Sequence, residues 1–290
     1  MSIKEIIFIG IISFLAVNCK EKEPPYFSKL NESEKGELAT QFHDLSNYFL
    51  QPSELYRTYK DSALIVQPNN VDYRQRLSYS YKKVGDHIRA MEILNKAVEI
   101  DTANGKTDAL EYKVWSLLYY YRDYEGVVRD VDLIEKISGR AYNPCWGEPC
   151  GFHKGQALYK LGEFKKAIET FETVNIEEEK LGFDPNDNYM NFFYIGRCYA
   201  EMEEYDKAIT NYEKSLASVD KFPEAYYNLG LVYQELDDKT KAEENFKLAK
   251  KFIIYNMGEP YIERFDKVFL YMIERELEDL INSSSLKPNF

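Results

Sequence analysis

Two glycines, Gly196 and Gly230, stand 34 residues apart, and two alanines, Ala208 and Ala242, repeat the same interval. A fixed period of that length constrains this chain more than any other feature. Each period must be one supersecondary unit that buries its apolar face against a neighbouring copy. Large residues accompany the small ones at matching offsets: Phe192, Ile195, Tyr199 and Tyr212 in one copy, Tyr226, Leu229, Tyr233 and Phe246 in the next. Steps of three and four residues place each set on one face of a helix. The chain's 290 residues are many for a single core, but ordinary for an array whose core grows lengthwise.

The pattern resembles the tetratricopeptide repeat (TPR), a helical hairpin with a large residue at position 4, Leu-Gly at 7 and 8, Tyr at 11, Ala at 20 and an aromatic at 24. Pro223 opens the last copy. An earlier copy carries Gly155, Leu158, Gly162, Ala167 and Phe171, and another carries Leu77, Tyr81, Gly85, Ala90, Leu94 and Ala97. A degenerate copy runs through Leu118, Asp123, Tyr124 and Val127, and a poorly matched hairpin precedes Gln67-Pro68-Asn69-Asn70. The resemblance implies an all-α fold, the right-handed α-α superhelix of a TPR solenoid. Five to six hairpins occupy 35–252, with a C-terminal capping helix and tail at 253–290. A small residue at position 8 lets the two helices of a hairpin approach, and Ala at 20 is its counterpart on the second helix. The Gly-Asp at 85 and 86 and the Gly-Glu at 162 and 163 turn the chain after the first helix. Gly85 to Gly162 is nine residues more than two periods, an excess expected near Ser138 to Pro149. Gly155 to Gly196 is seven more than one period, an excess expected around Glu177 to Asn186.

The N-terminus reads as an address. Lys4 is the only cation before the uncharged run Ile6–Val17, which is too short to span a bilayer as a helix (about 20 residues are needed). It fits the apolar core of a secretory signal. Ending in Leu15-Ala16-Val17-Asn18-Cys19, it resembles a bacterial lipoprotein signal at 1–18. Asn18 stands where a smaller residue is usual, and Leu15 lies one place further from the Cys than is common. The resemblance implies lipidation (palmitate-type acylation) at Cys19. It also implies an outer-membrane address, on the periplasmic or the surface face. Acyl chains contribute about 0.8 kcal/mol per buried CH₂, enough in pairs for a stable anchor. The charges and prolines of Lys20–Pro25 open a tether at 19–34.

Behind the repeats, Ile262, Phe265, Phe269, Met272, Ile273, Leu277, Leu280 and Ile281 fall at helical steps from Glu259 to Asn282. A solenoid needs its last apolar face covered, so a capping helix is expected; the alternative is a homodimer seam. Cys145 and Cys150 sit in a turn-rich segment and form a disulfide candidate outside the cytoplasm. With His153 they make only three metal ligands where a structural zinc wants four, so no metal is expected. Cys198 reads as buried packing. No cofactor motif, phosphate-cradling loop or nucleophile elbow is visible, and no enzyme is expected. The net charge of −12 disfavours nucleic acid.

TPR proteins line their concave face with the first helix of each hairpin. Position 5 gives Tyr112, Phe152, Phe193 and Tyr227, with Tyr79, Lys82, Tyr119, Gln156, Arg197 and Gln234 alongside. Aromatics beside amides and an Arg suit anchoring of a protein or peptide ligand. Gln75 and Tyr79 stand where the family's carboxylate-clamp version has Lys and Asn. The expected function is a membrane-tethered scaffold for protein or peptide binding in the bacterial envelope. The alternative is a lipoprotein that binds a glycan or peptide as a small-molecule ligand.

Overall fold

The computed structural model describes residues 27–184, 188–256 and 266–285. The signal segment, Cys19, and residues Ile262 and Phe265 of the C-terminal apolar series lie outside them. Contacts divide the chain into two compact units, 1–100 and 101–290. Among the described residues no helix is long and apolar enough to cross a membrane.

The first unit opens with helix α1 (Glu32–Ser46), α2 (Glu54–Val66) and α3 (Val71–Lys83), and α4 (His87–Ala103) runs out across its end. Helix α1 begins inside the stretch assigned to the tether. The reason is a capping box: Asn31 Oδ1 accepts from the Glu34 backbone N–H at 3.0 Å, and Glu34 Oε2 accepts from the Asn31 N–H at 2.8 Å. Ser53 and Asn70 cap α2 and α3 with one side-chain bond each, accepting from the Tyr56 and Tyr73 N–H groups. Ala39, Ala63, Leu64, Tyr73, Leu77, Tyr81 and Ala90 form this unit's core, so a first hairpin does precede Gln67-Pro68.

In the second unit, α5 (Asp108–Ser116) runs into a π turn (Leu117–Tyr121), followed by α6 (Tyr124–Ser138) and a short hairpin of β1 (Pro144–Cys145) and β2 (Glu148–Pro149). Three regular hairpins come next: α7 (Cys150–Lys160) with α8 (Phe164–Lys180), α9 (Tyr189–Glu201) with α10 (Tyr205–Ser218), and α11 (Pro223–Glu235) with α12 (Lys239–Asn256). Helix α13 (Leu270–Ser285) follows. The fold class is all-α, that of TPR superhelices.

Packing inside these hairpins gives position 8 a sharper reason than helix approach alone. A Cβ on Gly155 would stand 2.5 Å from the Phe171 ring, one on Gly196 2.8 Å from Tyr212, and one on Gly230 2.6 Å from Phe246. In each hairpin the glycine makes room for the aromatic at position 24, which lies flat beneath the first helix. Phe171 and Phe246 are 0% exposed and Tyr212 is 1% exposed.

The turn between the helices is also shared. Gly162 has φ +76°, and the next residue, Glu163, donates its N–H to Leu158 O at 2.9 Å. That closes the helix with a left-handed residue and a bond reaching five back. Glu203 (φ 60°) and Asp237 (φ 57°) hold the same position, with Glu204 bonded to Tyr199 O and Asp238 to Tyr233 O, both at 2.9 Å. Only glycine adopts this conformation without strain from its Cβ. Glu203→Gly is therefore expected to stabilise the second unit by about 1 kcal/mol, read as a higher urea midpoint with an unchanged slope.

Two expectations need correction. Arg122 takes the left-handed turn position at φ 57°, with Asp123 N–H bonded to Leu117 O, so the degenerate copy turns there. Of the nine surplus residues between Gly85 and Gly162, three therefore fall before Arg122, where the π turn lies, and six fall after it, around the β-hairpin. Secondly, residues 266–269 are not helical and α13 starts at Leu270, because Asp266 is drawn toward α7 and α9. Within α13, Ile273 and Leu280 of the apolar series are buried against Phe246, Ala249 and Ile253 of α12, as the spacing implies. Phe269 and Ile281 of the same series are exposed.

Candidate functional site

The residues predicted to line a groove divide into three groups. Tyr79 and Lys82 lie in the first unit, where the Lys82 ammonium sits 5.0 Å from the Tyr79 ring centroid. The aromatics at position 5 do not form an open stripe. Tyr112 is 2% exposed, Phe152 4%, Phe193 1% and Tyr227 6%. The last three rings pack on the position-24 aromatics, Phe152 5.9 Å from Phe171, Phe193 6.0 Å from Tyr212 and Tyr227 5.7 Å from Phe246. The first helix of each hairpin turns this position toward its partner helix, and burial of about 150–250 Å² per ring holds it there. Gln234 is half-buried on α11.

The third group, Tyr119, Gln156 and Arg197, is brought together. Tyr119 OH donates to Gln156 Oε1 at 2.7 Å, and Gln156 Nε2 donates to Tyr194 OH at 2.8 Å. Tyr194 OH in turn donates to Asp266 Oδ2. Arg197 Nη1 and Lys160 Nζ reach Asp266 Oδ1 at 2.5 and 2.8 Å. One polar chain thus crosses the first helices of three successive hairpins and ends on a carboxylate from the segment before α13. Burial pushes the Tyr194 phenol well above its ordinary pKa, and the Asp266 charge adds to that, so it stays a donor. Burial alone would raise the Asp266 carboxyl, but the Arg197 guanidinium and the Lys160 ammonium outweigh it and hold its pKa below the usual value.

A cavity of about 290 Å³ opens beside this chain. Phe152, Phe193, Phe222, Tyr189, Tyr194 and Met190 supply apolar wall, and Tyr119, Gln156 and Asp266 its polar corner. Tyr255 and Lys267 bring α12 and the segment before α13 to its rim. Sequence reading missed Lys160, Tyr194 and Asp266. The first two stand on the first helices of their hairpins at positions 13 and 6, outside the positions the repeat pattern marks. No periodicity couples Asp266 to residues 69 and 106 places away.

A second aromatic cluster lies at the β-hairpin. The Cys145 and Cys150 sulfurs are joined, and between them Trp146 takes φ 54° and sits 4.9 Å from the Tyr112 ring and 6.3 Å from Trp115. Closing so short a loop contributes about 2 kcal/mol in the chain-entropy account. Trp115 and Trp146 are the chain's two tryptophans. Reduction, or Cys145→Ser with Cys150→Ser, is expected to lower the second unit's stability by about that amount. The same change should alter the tryptophan emission at neutral pH. Cys198 is buried, its thiol pushed up to about 12 by burial. Among the described residues no group of three or more His, Cys, Asp or Glu could hold a metal ion.

The period, the hairpins and the position-8 packing together define a repeat protein, and comparison with known families says which. The TPR repeat profile matches residues 196–237, and the tetratricopeptide repeat profile matches 71–104, 152–174 and 223–252. These segments of the chain are TPR repeats. Over 92 residues it is 32% identical to the probable UDP-N-acetylglucosamine–peptide N-acetylglucosaminyltransferase SEC of Arabidopsis thaliana, covering 32% of this chain and 9% of that protein. Over 106 residues it is 30% identical to the photosystem I assembly protein Ycf3 of Prochlorococcus marinus (strain MIT 9215), covering 36% of this chain and 57% of the relative. These matches thus span from a tenth to just over half of the curated relatives. In fold, the crystal structure of the APC/C hetero-tetramer Cut9–Hcn1 is similar, with a TM-score of 0.56 at 15% identity over 93% of this chain and 51% of that one.

Proposed function

We propose that this protein is a TPR scaffold of the bacterial envelope, tethered to the membrane by a lipid on Cys19, and that its second unit holds a segment of a partner protein. The observation that carries the binding reading is the cavity of about 290 Å³ on the first-helix face. It joins aromatic wall to a polar corner built from two hairpins and the segment before α13, and such a site anchors an apolar side chain and orients the backbone beside it. An assembly role is what the name of the cyanobacterial relative describes, which agrees with a binding scaffold. The tether reading is supported by the apolar run that ends at Cys19.

Crosslinking in the native cell, then affinity purification of tagged protein and mass spectrometry, tests the scaffold. Phe152 and Phe193 are core residues, and their truncation would unfold the unit rather than probe binding. Met190→Ala with Tyr255→Ala changes the cavity wall at less buried positions. A partner enriched by the wild type and lost from this folded variant is the expected result. A partner retained by it overturns the site. Labelling cells with an alkynyl palmitate tests the anchor: the wild type should incorporate it and Cys19→Ala should not.

The cavity's volume also lies at the small end of small-molecule sites, about 300–1,000 Å³, which favours a glycan- or peptide-binding lipoprotein as the second reading. A thermal shift with one member of a saccharide panel, lost in Met190→Ala with Tyr255→Ala, would establish it.

A further inference from the structure

The polar chain in the second unit ends on a carboxylate that the repeats do not supply. Asp266 belongs to the segment before α13, and its side chain is 9% exposed. Its Oδ1 receives Lys160 Nζ at 2.8 Å and Arg197 Nη1 at 2.5 Å, and its Oδ2 receives Tyr194 OH. Without Asp266, helices α7 and α9 would hold two cations and a phenol donor around a gap the size of one carboxylate. The protein around that gap carries a net charge of −12. Two cations so placed repel each other, and a carboxylate between them offsets that repulsion. Charge-assisted bonds from a guanidinium and an ammonium, with a neutral donor on the second oxygen, suit a carboxylate better than an amide. The cavity beside it is walled by Phe152, Phe193 and Phe222, so an apolar side chain next to the carboxylate has a place to go.

Resting on the reading that this groove binds a protein segment, we propose that Lys160, Arg197 and Tyr194 recognise an acidic side chain of that segment. Asp266 occupies the same site in cis as its competitor. The partner's segment therefore carries an Asp or Glu flanked by apolar residues. Its affinity is set by the cost of displacing Asp266.

The chain's own sequence provides the probe. An acetylated and amidated peptide of residues 264–270, Arg-Phe-Asp-Lys-Val-Phe-Leu, has the Asp as its only carboxylate. Fluorescence anisotropy would follow its labelled form against full-length wild type and Asp266→Asn, both checked for helical content. Asp266→Asn should bind the peptide at least about tenfold more tightly than the wild type does, and about tenfold more tightly than it binds the Asn version of the peptide. Equal binding of the Asp and Asn peptides would show a groove that takes peptides without reading a carboxylate. That outcome overturns this inference and leaves the scaffold reading intact. An Asn peptide with a free C-terminal carboxyl that binds as well as the Asp peptide would assign the site to chain ends instead, and overturns the side-chain claim. No binding of any peptide overturns the inference, while the scaffold reading stands or falls on the co-purified partner. Where Asp266→Asn is poorly folded, thermal shift replaces anisotropy: the Asp peptide alone should raise its melting temperature. A variant that millimolar peptide cannot restore marks Asp266 as a structural pin only, and overturns the proposal.

Discussion

Replacing Phe171 by Ala is expected to lower the unfolding free energy of the second unit by about 3–5 kcal/mol, the cost of emptying a fully buried aromatic site. Phe171 is 0% exposed, stacks 5.6 Å from Tyr194 and lies beneath Gly155, where an added Cβ would come within 2.5 Å of the ring. The glycine and the ring are thus two halves of one contact. Gly155→Ala alone should cost about 1–3 kcal/mol through overpacking. Combined with Phe171→Ala, the new methyl enters the vacated space, and the double variant should be at least about 1 kcal/mol more stable than the sum of the two losses implies. Urea unfolding followed by tryptophan emission reads this directly, because Trp115 and Trp146 both lie in the second unit. Strict additivity would mean that Gly155 serves backbone conformation and not the ring.

Acid is expected to unfold the second unit through His153. This ring is 0% exposed, lies edge-on to Tyr119 at 5.6 Å, and neither of its nitrogens has a hydrogen-bond partner among the described residues. Burial pushes its pKa from 6.5 down to about 3. Folded His153 therefore stays neutral at pH values where the unfolded chain takes up a proton. With the folded pKa below the unfolded one, stability is complete above about pH 6.5 and is lost as pH falls toward 3. At about 1.4 kcal/mol per unit, the loss from this residue reaches about 3 kcal/mol by pH 4. Carboxylates add their own acid dependence, so the comparison that isolates His153 is with His153→Phe. Urea midpoints at pH 7 and pH 4 should differ less for the variant, which keeps the apolar ring and loses the proton site. Equal pH slopes in the two proteins would show that His153 is hydrated or protonated in the folded state.

Both predictions start from residues that the sequence marks differently. Phe171 at position 24 and Gly155 at position 8 are legible by spacing alone, because a repeat must present the same packing to each neighbour and so writes it again every period. His153 carries no such mark. It holds position 6 of a helix whose neighbours determine whether it meets water, and only the packing of Tyr119 and Phe152 around it shows that it does not.

The same division runs through the site. Gln156 and Arg197 stand at position 9 and Tyr119 at position 12, places that face the groove in any TPR hairpin, and the structure brings all three into one polar chain. Position 5 divides: Phe152 and Phe193 border the cavity with buried rings, while Tyr112 and Tyr227 do not line it. Phe152 and Phe193 have the composition of a binding stripe, yet a ring three residues before the position-8 glycine packs across its own hairpin. Composition cannot separate an aromatic that packs inward from one that faces out, since both rest on the same apolar area.

The period, the helical hairpins, the close contact at position 8 and the turn after each first helix are legible in the residues alone, because each is a local pattern enforced by repetition. Tertiary structure alone decided the partner of Arg197. Asp266 is 69 residues away in a segment with no repeat character, and nothing local distinguishes it from the chain's other acidic residues. A carboxylate finds two cations through the field they share in a largely buried groove, and that field exists only once the α7 and α9 hairpins have stacked.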